Sequence, residues 1–82
     1  MIFVTNNNEF EHMDSYDGEK FFWGPGEKLP VPEEAAKHMF GYGKPDKAEA
    51  LVRLGWNWDE EVGISKLRKF VFTKAQIVES EG

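Results

Sequence analysis

The sequence contains no cysteine, so the chain can form neither a disulfide scaffold nor a thiolate metal site. No apolar run approaches the roughly 18 residues that cross a bilayer, and the first residues lack the basic and apolar regions of a signal peptide. We therefore expect cytosol-like surroundings and no membrane partner. The length of 82 residues predicts one domain, 1–82, with a thin core, because folding at this size hides only about 60% of the chain's surface.

Side chains in catalytic or metal-binding patterns are also missing. His12 and His38 have no partner at metal-ligand spacing, and we expect both at the surface or its boundary. The carboxylates at 14–19 lack the alternation of a calcium loop, and the acidic triplet at 59–61 reads as a solvated run. No serine lies in a nucleophile elbow. The sequence predicts no enzyme activity, no metal and no cofactor.

Positive charge is scarce in the first half of the chain. The formal net charge is -5, and residues 1–40 carry three Lys against eight Asp and Glu, whereas residues 41–82 carry seven of each sign. This balance disfavours nucleic acid as a partner, because Lys and Arg drive that binding. The one basic patch, 66–69, leaves two alternatives open: a single-strand binder that uses Lys66, Arg68 and Lys69 beside aromatic rings, or a dock for an acidic partner or second copy.

Alternation and turn residues predict strands in the first half. Ile2-Phe3-Val4 reads as a short strand that the asparagines at 6–8 end. The segments 9–14 and 19–23 flank Asp17-Gly18, which predicts a hairpin with a type I′ turn. Prolines in Leu29-Pro30-Val31-Pro32 predict an extended segment that is not a central strand.

The three consecutive aromatic residues Phe21, Phe22 and Trp23 do not share one face. Side chains alternate along a strand, so Phe21 and Trp23 point to one side and Phe22 to the other. We expect the first two in the core and Phe22 on the opposite face, where it closes a barrel or meets a partner.

Two helices are predicted by their end signals. The first begins at Pro32 and ends before Gly41, and the second runs from Pro45 to Gly55 with 48, 51, 52 and 55 as its inner stripe. Residues 56–63 read as a loop, 64–68 as a helical turn or loop, and 69–78 as a strand. The fold class is α+β: a mostly antiparallel sheet or half-open barrel of three to four strands with an inserted pair of short helices.

One part of the chain has a recognisable pattern. The stretch Pro25–Gly41, PGEKLPVPEEAAKHMFG, followed by Leu51–Trp56, LVRLGW, resembles small uncharacterised proteins encoded among the structural genes of tailed bacteriophages. The similarity covers about half of the chain, from Asp17 to Trp56, without a catalytic motif and without site residues to transfer.

This resemblance implies a virion component. It would be a capsid decoration (cement) protein that stabilises the assembled shell, or alternatively a neck or tail accessory protein. The implied partners are the major capsid protein or other virion proteins, and the implied location is the virion, or the host cytoplasm during assembly. The charge asymmetry leaves another alternative open: a small acidic host-takeover inhibitor of a nucleic-acid enzyme.

The aromatic residues are the candidate contacts of such a protein. The chain has seven Phe, three Trp and two Tyr, and side chains such as Trp23, Tyr42, Trp56 and Trp58 are of the kinds that concentrate binding energy in interfaces. We also expect a homo-oligomer, because symmetry multiplies modest contacts. The candidate interface residues are Phe22, Tyr42, Trp56, Trp58, Lys66, Arg68 and Lys69.

Overall fold

The computed structural model describes residues 1–74, which form five strands and three helices. In chain order these are β1 (Ile2–Asn6), β2 (His12–Tyr16), β3 (Glu19–Trp23), β4 (Lys28–Val31), α1 (Glu33–Phe40), α2 (Ala48–Leu54), α3 (Glu60–Arg68) and β5 (Phe70–Lys74). One sheet has the order β4-β1-β5 and the other consists of β2 and β3, with every pair antiparallel. The predicted α+β class is confirmed.

The three-stranded sheet is built around the short apolar run at the start of the chain. β1 lies between its two partners, with Ile2, Val4 and Asn6 buried on the side of the core. β4 lies at the edge, where Pro30 stands opposite Phe3. Proline cannot donate to a ladder and is tolerated at such an edge, so the prediction that this segment is extended and not central is confirmed.

The hairpin of β2 and β3 turns at the predicted dipeptide. Asp17 and Gly18 both have positive φ, 53° and 81°, as a type I′ turn requires. Phe21 and Trp23 are buried and Phe22 is 47% exposed, as alternation predicts. The prediction that Trp23 could act as an interface anchor is wrong. Its side chain is fully buried, and its indole N–H donates a hydrogen bond to the Val4 carbonyl at 3.0 Å.

The helix pair follows the predicted end signals with shifted starts. α1 ends at Gly41, whose φ of 69° is left-handed, but Pro32 precedes the helix as its N-cap. α2 starts only at Ala48, whose N–H donates to the Asp46 carboxylate at 2.9 Å.

The predicted inner stripe of α2 is partly wrong. Ala48 and Val52 are exposed, whereas Ala50 and Leu51 are buried. A Cβ built on Gly41 would lie 3.3 Å from the Ala50 Cβ, so the missing side chain at Gly41 lets Ala50 approach the end of α1.

The predicted loop at 56–63 is wrong in its second half. α3 already begins at Glu60, because the Asp59 side chain accepts a hydrogen bond from the Val62 N–H at 3.2 Å and caps the helix. The two glutamates that follow lie in the first turn, where the helix dipole favours negative charge. The acidic triplet is therefore a helix start that is exposed to solvent.

β5 begins close to the predicted residue 69 and pairs with β1; its predicted continuation to 78 lies outside the described residues. One core cluster joins both sheets to all three helices: Ile2, Val4, Phe21, Trp23, Val31, Ala35, Ala36, Met39, Phe40, Leu51, Leu67 and Phe70. None of the helices between residues 1 and 74 has the length and apolar character needed to cross a membrane.

Candidate interaction surface

Three aromatic rings surround the ammonium group of Lys66. Its Nζ lies 5.4 Å from the ring centroid of Trp56, 5.5 Å from that of Phe10 and 5.8 Å from that of Trp58. All three distances are within the roughly 6 Å over which a cation is attracted to a ring face. We call Phe10, Trp56 and Trp58 the aromatic cage and Lys66 its occupant.

The cage has a supported inner wall and an open outer side. Trp56 is half-buried, stacked on Phe70 at 6.3 Å and 5.6 Å from the His12 ring. Phe10 meets Trp56 edge to face, with centroids 6.1 Å apart and planes at 83°. Phe10 is 37% and Trp58 68% exposed. The rings of Phe10 and Trp58 thus lie at the surface, beside the ring of Trp56, which packs against the core.

Two buried asparagines position the cage and its occupant. Asn6 donates from Nδ2 to the Phe10 carbonyl at 2.8 Å, and Asn8 donates from Nδ2 to the Lys66 carbonyl at 3.2 Å. The Asn6 Oδ1 accepts from both the backbone N–H and the Nδ2 of Asn8, at 3.0 and 3.1 Å. The segment after β1 is therefore connected to α3 by the partly buried hydrogen bond from Asn8 to the Lys66 carbonyl. From the sequence, the asparagines at 6–8 predict only a turn.

The two tryptophans of the cage lie in the short link between α2 and α3. Gly55 ends α2 with φ of 79°, and the Trp56 N–H donates to the Leu51 carbonyl at 2.9 Å. Asp59 then caps α3 directly after Trp58. The end of α2 and the start of α3, separated by the five residues 55–59, thus restrict the backbone that carries both rings.

Charges of both signs lie around the cage. Glu9 and Glu11 flank Phe10 and Asp59 follows Trp58, all exposed. Arg68 and Lys69 are exposed at the end of α3, where the Lys69 carbonyl accepts from the Asn7 N–H at 2.9 Å. The rings can contact an apolar or cationic group, and the carboxylates favour the cationic one.

The structure brings together only part of the predicted interface. Trp56, Trp58 and Lys66 form one site, to which Phe10 is an addition that the sequence did not single out. Phe22 lies on the outer face of the hairpin, opposite the exposed Met13. Tyr42 is half-buried, with its ring 5.2 Å from that of Phe72.

The expectation that both histidines lie at the surface or its boundary is wrong for His12. His38 is exposed, but His12 is buried among the rings of Trp23, Phe40, Trp56 and Phe70, at 5.0 to 5.8 Å. The two-residue turn sets the register that pairs His12 with Trp23 and places both on the core face.

Asp14 connects the hairpin to α2. Its carboxylate forms a salt bridge with the Arg53 guanidinium and accepts a hydrogen bond from the Ser15 N–H at 2.8 Å. Burial raises the pKa of Asp14, but the neighbouring His12, the Arg53 charge and these hydrogen bonds outweigh it, so that the pKa lies below its ordinary value. The His12 Nε2 is 3.9 Å from the carboxylate, beyond hydrogen-bond distance.

A cleft of about 610 Å³ also lies between α1 and α2. Lys37, Lys44 and Arg53 line it together with Asp46 and Glu49, and Lys44 pairs with Glu49 at 3.4 Å. Within residues 1–74, histidine and acidic side chains form no group of three that could hold a metal ion.

Comparisons with known proteins identify no relative of this chain. No protein-family model matches the chain, and neither a curated protein nor a solved structure is significantly similar to it.

Proposed function

We propose that this protein is a non-enzymatic structural protein of tailed-phage virions, a capsid decoration protein that binds and stabilises the assembled shell. The observation that carries the binding role is the aromatic cage, in which Phe10 and Trp58 are exposed while the Phe10 backbone accepts a hydrogen bond from Asn6 and Trp58 directly precedes Asp59, the N-cap of α3. Preformed aromatic contacts lose little conformational entropy on binding.

Trp58 is the cage side chain with the largest exposed fraction that a partner could bury. It is 68% exposed, which for a side chain of about 200 Å² leaves roughly 140 Å² to be covered. At about 25 cal/mol per Å², this burial would be worth ~3 kcal/mol. That value is in the range of interface residues whose truncation weakens binding strongly.

The virion assignment rests on the resemblance of Pro25–Gly41 and Leu51–Trp56 to phage structural proteins. A shell repeats the same joint many times, so a small protein with one modest contact gains avidity when neighbouring copies also touch. The major capsid protein is the expected partner.

Single-strand nucleic-acid binding is the second use that a tryptophan beside a lysine suggests. A base could stack on Trp58 next to Lys66. However, Glu9, Glu11 and Asp59 lie beside the cage rings in the chain and are exposed, and their charge would repel phosphates. The proposal therefore favours a protein partner.

The test is mass spectrometry of virions purified from a lysate in which the gene is expressed. A copy number close to that of the major capsid subunit would support decoration. Six to twelve copies would instead assign the protein to the neck or tail, and absence from the particle would refute a virion role.

The contact surface is tested by adding purified protein to shells that lack it. Trp58→Ala should raise the Kd about 30- to 150-fold, which corresponds to about 2–3 kcal/mol. Val52→Ala is the matched control, because Val52 is an exposed apolar residue of α2 outside the cage. An equal loss in both variants would contradict the assignment to the cage.

A further inference from the structure

We propose that the aromatic cage is a binding site for the ammonium group of a partner protein's lysine side chain, and that Lys66 is a competitor built into the same chain. The inference rests on the proposed function for the idea that this face meets a protein. It goes further by naming the chemical group that the face binds.

The geometry is that of a cation site. Three rings from two separate segments, Phe10 on one side and Trp56 and Trp58 on the other, lie at nearly equal distances of 5.4 to 5.8 Å from one nitrogen. The rings of Phe10 and Trp56 stand almost perpendicular, so they form two walls of a corner. Perpendicular ring walls around one ammonium are the arrangement that recognises lysine and its methylated forms.

The occupant can leave without a large loss. Asn8 and the Lys69 N–H donate to the backbone carbonyl of Lys66 and not to its side chain. Its ammonium is held by ring faces at a partly exposed site, where each contact is weak. The side chain is flexible, so it can swing into solvent and leave the three rings in place.

The surrounding charges favour an incoming cation. Glu9, Glu11 and Asp59 are exposed and adjacent in sequence to the cage rings. Glu9 and Glu11 stand on either side of Phe10 in the chain, so their negative charge attracts a cation to this part of the surface, whereas the Asp59 carboxylate caps α3 at the Val62 N–H. Methylated lysine should bind more tightly than unmodified lysine, because a methylated ammonium is less costly to remove from water.

The experiment titrates purified full-length protein with Nα-acetyl-Nε-trimethyl-lysine amide and with the neutral analogue in which carbon replaces the charged nitrogen. NMR signals of the indole N–H groups report on each tryptophan, and Trp23 serves as an internal reference because it is buried in the core. The variants are Lys66→Met, which removes the competitor's charge but keeps its length, and Lys20→Met, which removes an exposed lysine of the hairpin. Circular dichroism checks the fold, and Lys66→Gln is the second variant if Lys66→Met is unfolded.

We expect Lys66→Met to bind the charged probe about two- to fivefold more tightly than the unchanged protein, with shifts at Trp56 and Trp58. Lys20→Met should bind it as the unchanged protein does, and the neutral analogue should bind more weakly to all. Equal binding of the two probes, no binding to either Lys66 variant, or equal effects of Lys66→Met and Lys20→Met would overturn the proposal. Preferential sedimentation with phosphatidylcholine vesicles would overturn the lysine source in favour of a lipid headgroup.

This test and that of the proposed function fail separately. If the probe binds but virions lack the protein, the cage proposal stands and the virion role is lost. If the probe does not bind but Trp58→Ala weakens shell binding, the contact surface stands and its preference for ammonium is wrong.

Discussion

Trp23 and Phe22 are neighbours in one strand, and we expect their substitutions to have very different effects on stability. Trp23 is fully buried between the two sheets, where its indole N–H donates to Val4 of the central strand at 3.0 Å. Phe22 is 47% exposed on the outer face. The pair Trp23→Phe and Phe22→Leu removes a few atoms from each side chain without changing the strand's apolar character.

The cost of Trp23→Phe has three parts. The lost hydrogen bond is worth about 1 kcal/mol, the lost burial of roughly 40 Å² another ~1 kcal/mol, and the remaining cavity of roughly 40 Å³ about 1 kcal/mol more. A sum of about 3 kcal/mol compares with a total stability of roughly 4–12 kcal/mol for a chain of this length. Phe22→Leu should stay within about 0.5 kcal/mol, because its environment is largely solvent.

Urea unfolding followed by circular dichroism measures both variants without relying on tryptophan fluorescence. With an m-value of about 1–1.5 kcal/mol per M, Trp23→Phe should lower the midpoint by roughly 2–3 M and Phe22→Leu by less than about 0.5 M. If Phe22→Leu shifted the midpoint as much as Trp23→Phe, the assignment of the two faces would be refuted.

Two further substitutions test contacts that local propensity does not reveal. Gly63→Ala should destabilise the protein by about 1–3 kcal/mol in thermal unfolding, although alanine favours a helix, because a Cβ there would clash with the Trp56 carbonyl oxygen; a higher Tm would contradict this packing. Asp14→Asn should cost about 1–2 kcal/mol at pH 7, since it removes the charged partner of Arg53. Because the pKa of Asp14 is lowered by folding, its contribution is complete above the ordinary value of 3.8 and is lost as the pH falls through the folded-state pKa. The stability difference between the variant and the unchanged protein should therefore shrink as the pH falls below 3.8, and a difference that stays constant over that range would disprove the linkage.

Much of the local structure could be predicted because it depends on a few adjacent residues. Asp17-Gly18 specifies the hairpin turn, since both positions need positive φ, and Gly41 and Gly55 end their helices for the same reason. The start of α3 carried a signal too, in Asp59 followed by two glutamates. Its acidic run fits a solvated loop equally well, because solvated charge and helix capping use the same residue types.

The position of His12 was also within reach of the sequence. A two-residue turn at 17–18 pairs residues whose numbers sum to 35, and thus His12 with Trp23. Hydrophobicity alone would place Met13 in the core in preference to His12, yet Met13 is exposed. Register, which the turn determines, outweighed the hydrophobicity of one side chain.

The aromatic cage, in contrast, depends on contacts between distant parts of the chain. By itself the sequence determined the hairpin, the helix ends and the side of β3 that carries Phe21 and Trp23, because steric limits on φ and the alternation of side chains act within a few residues. Only the tertiary structure decided that Phe10 meets Trp56, Trp58 and Lys66. That meeting requires the buried Asn8 to bond to the Lys66 carbonyl across 58 positions of the chain, and no local pattern specifies which buried donor finds which acceptor.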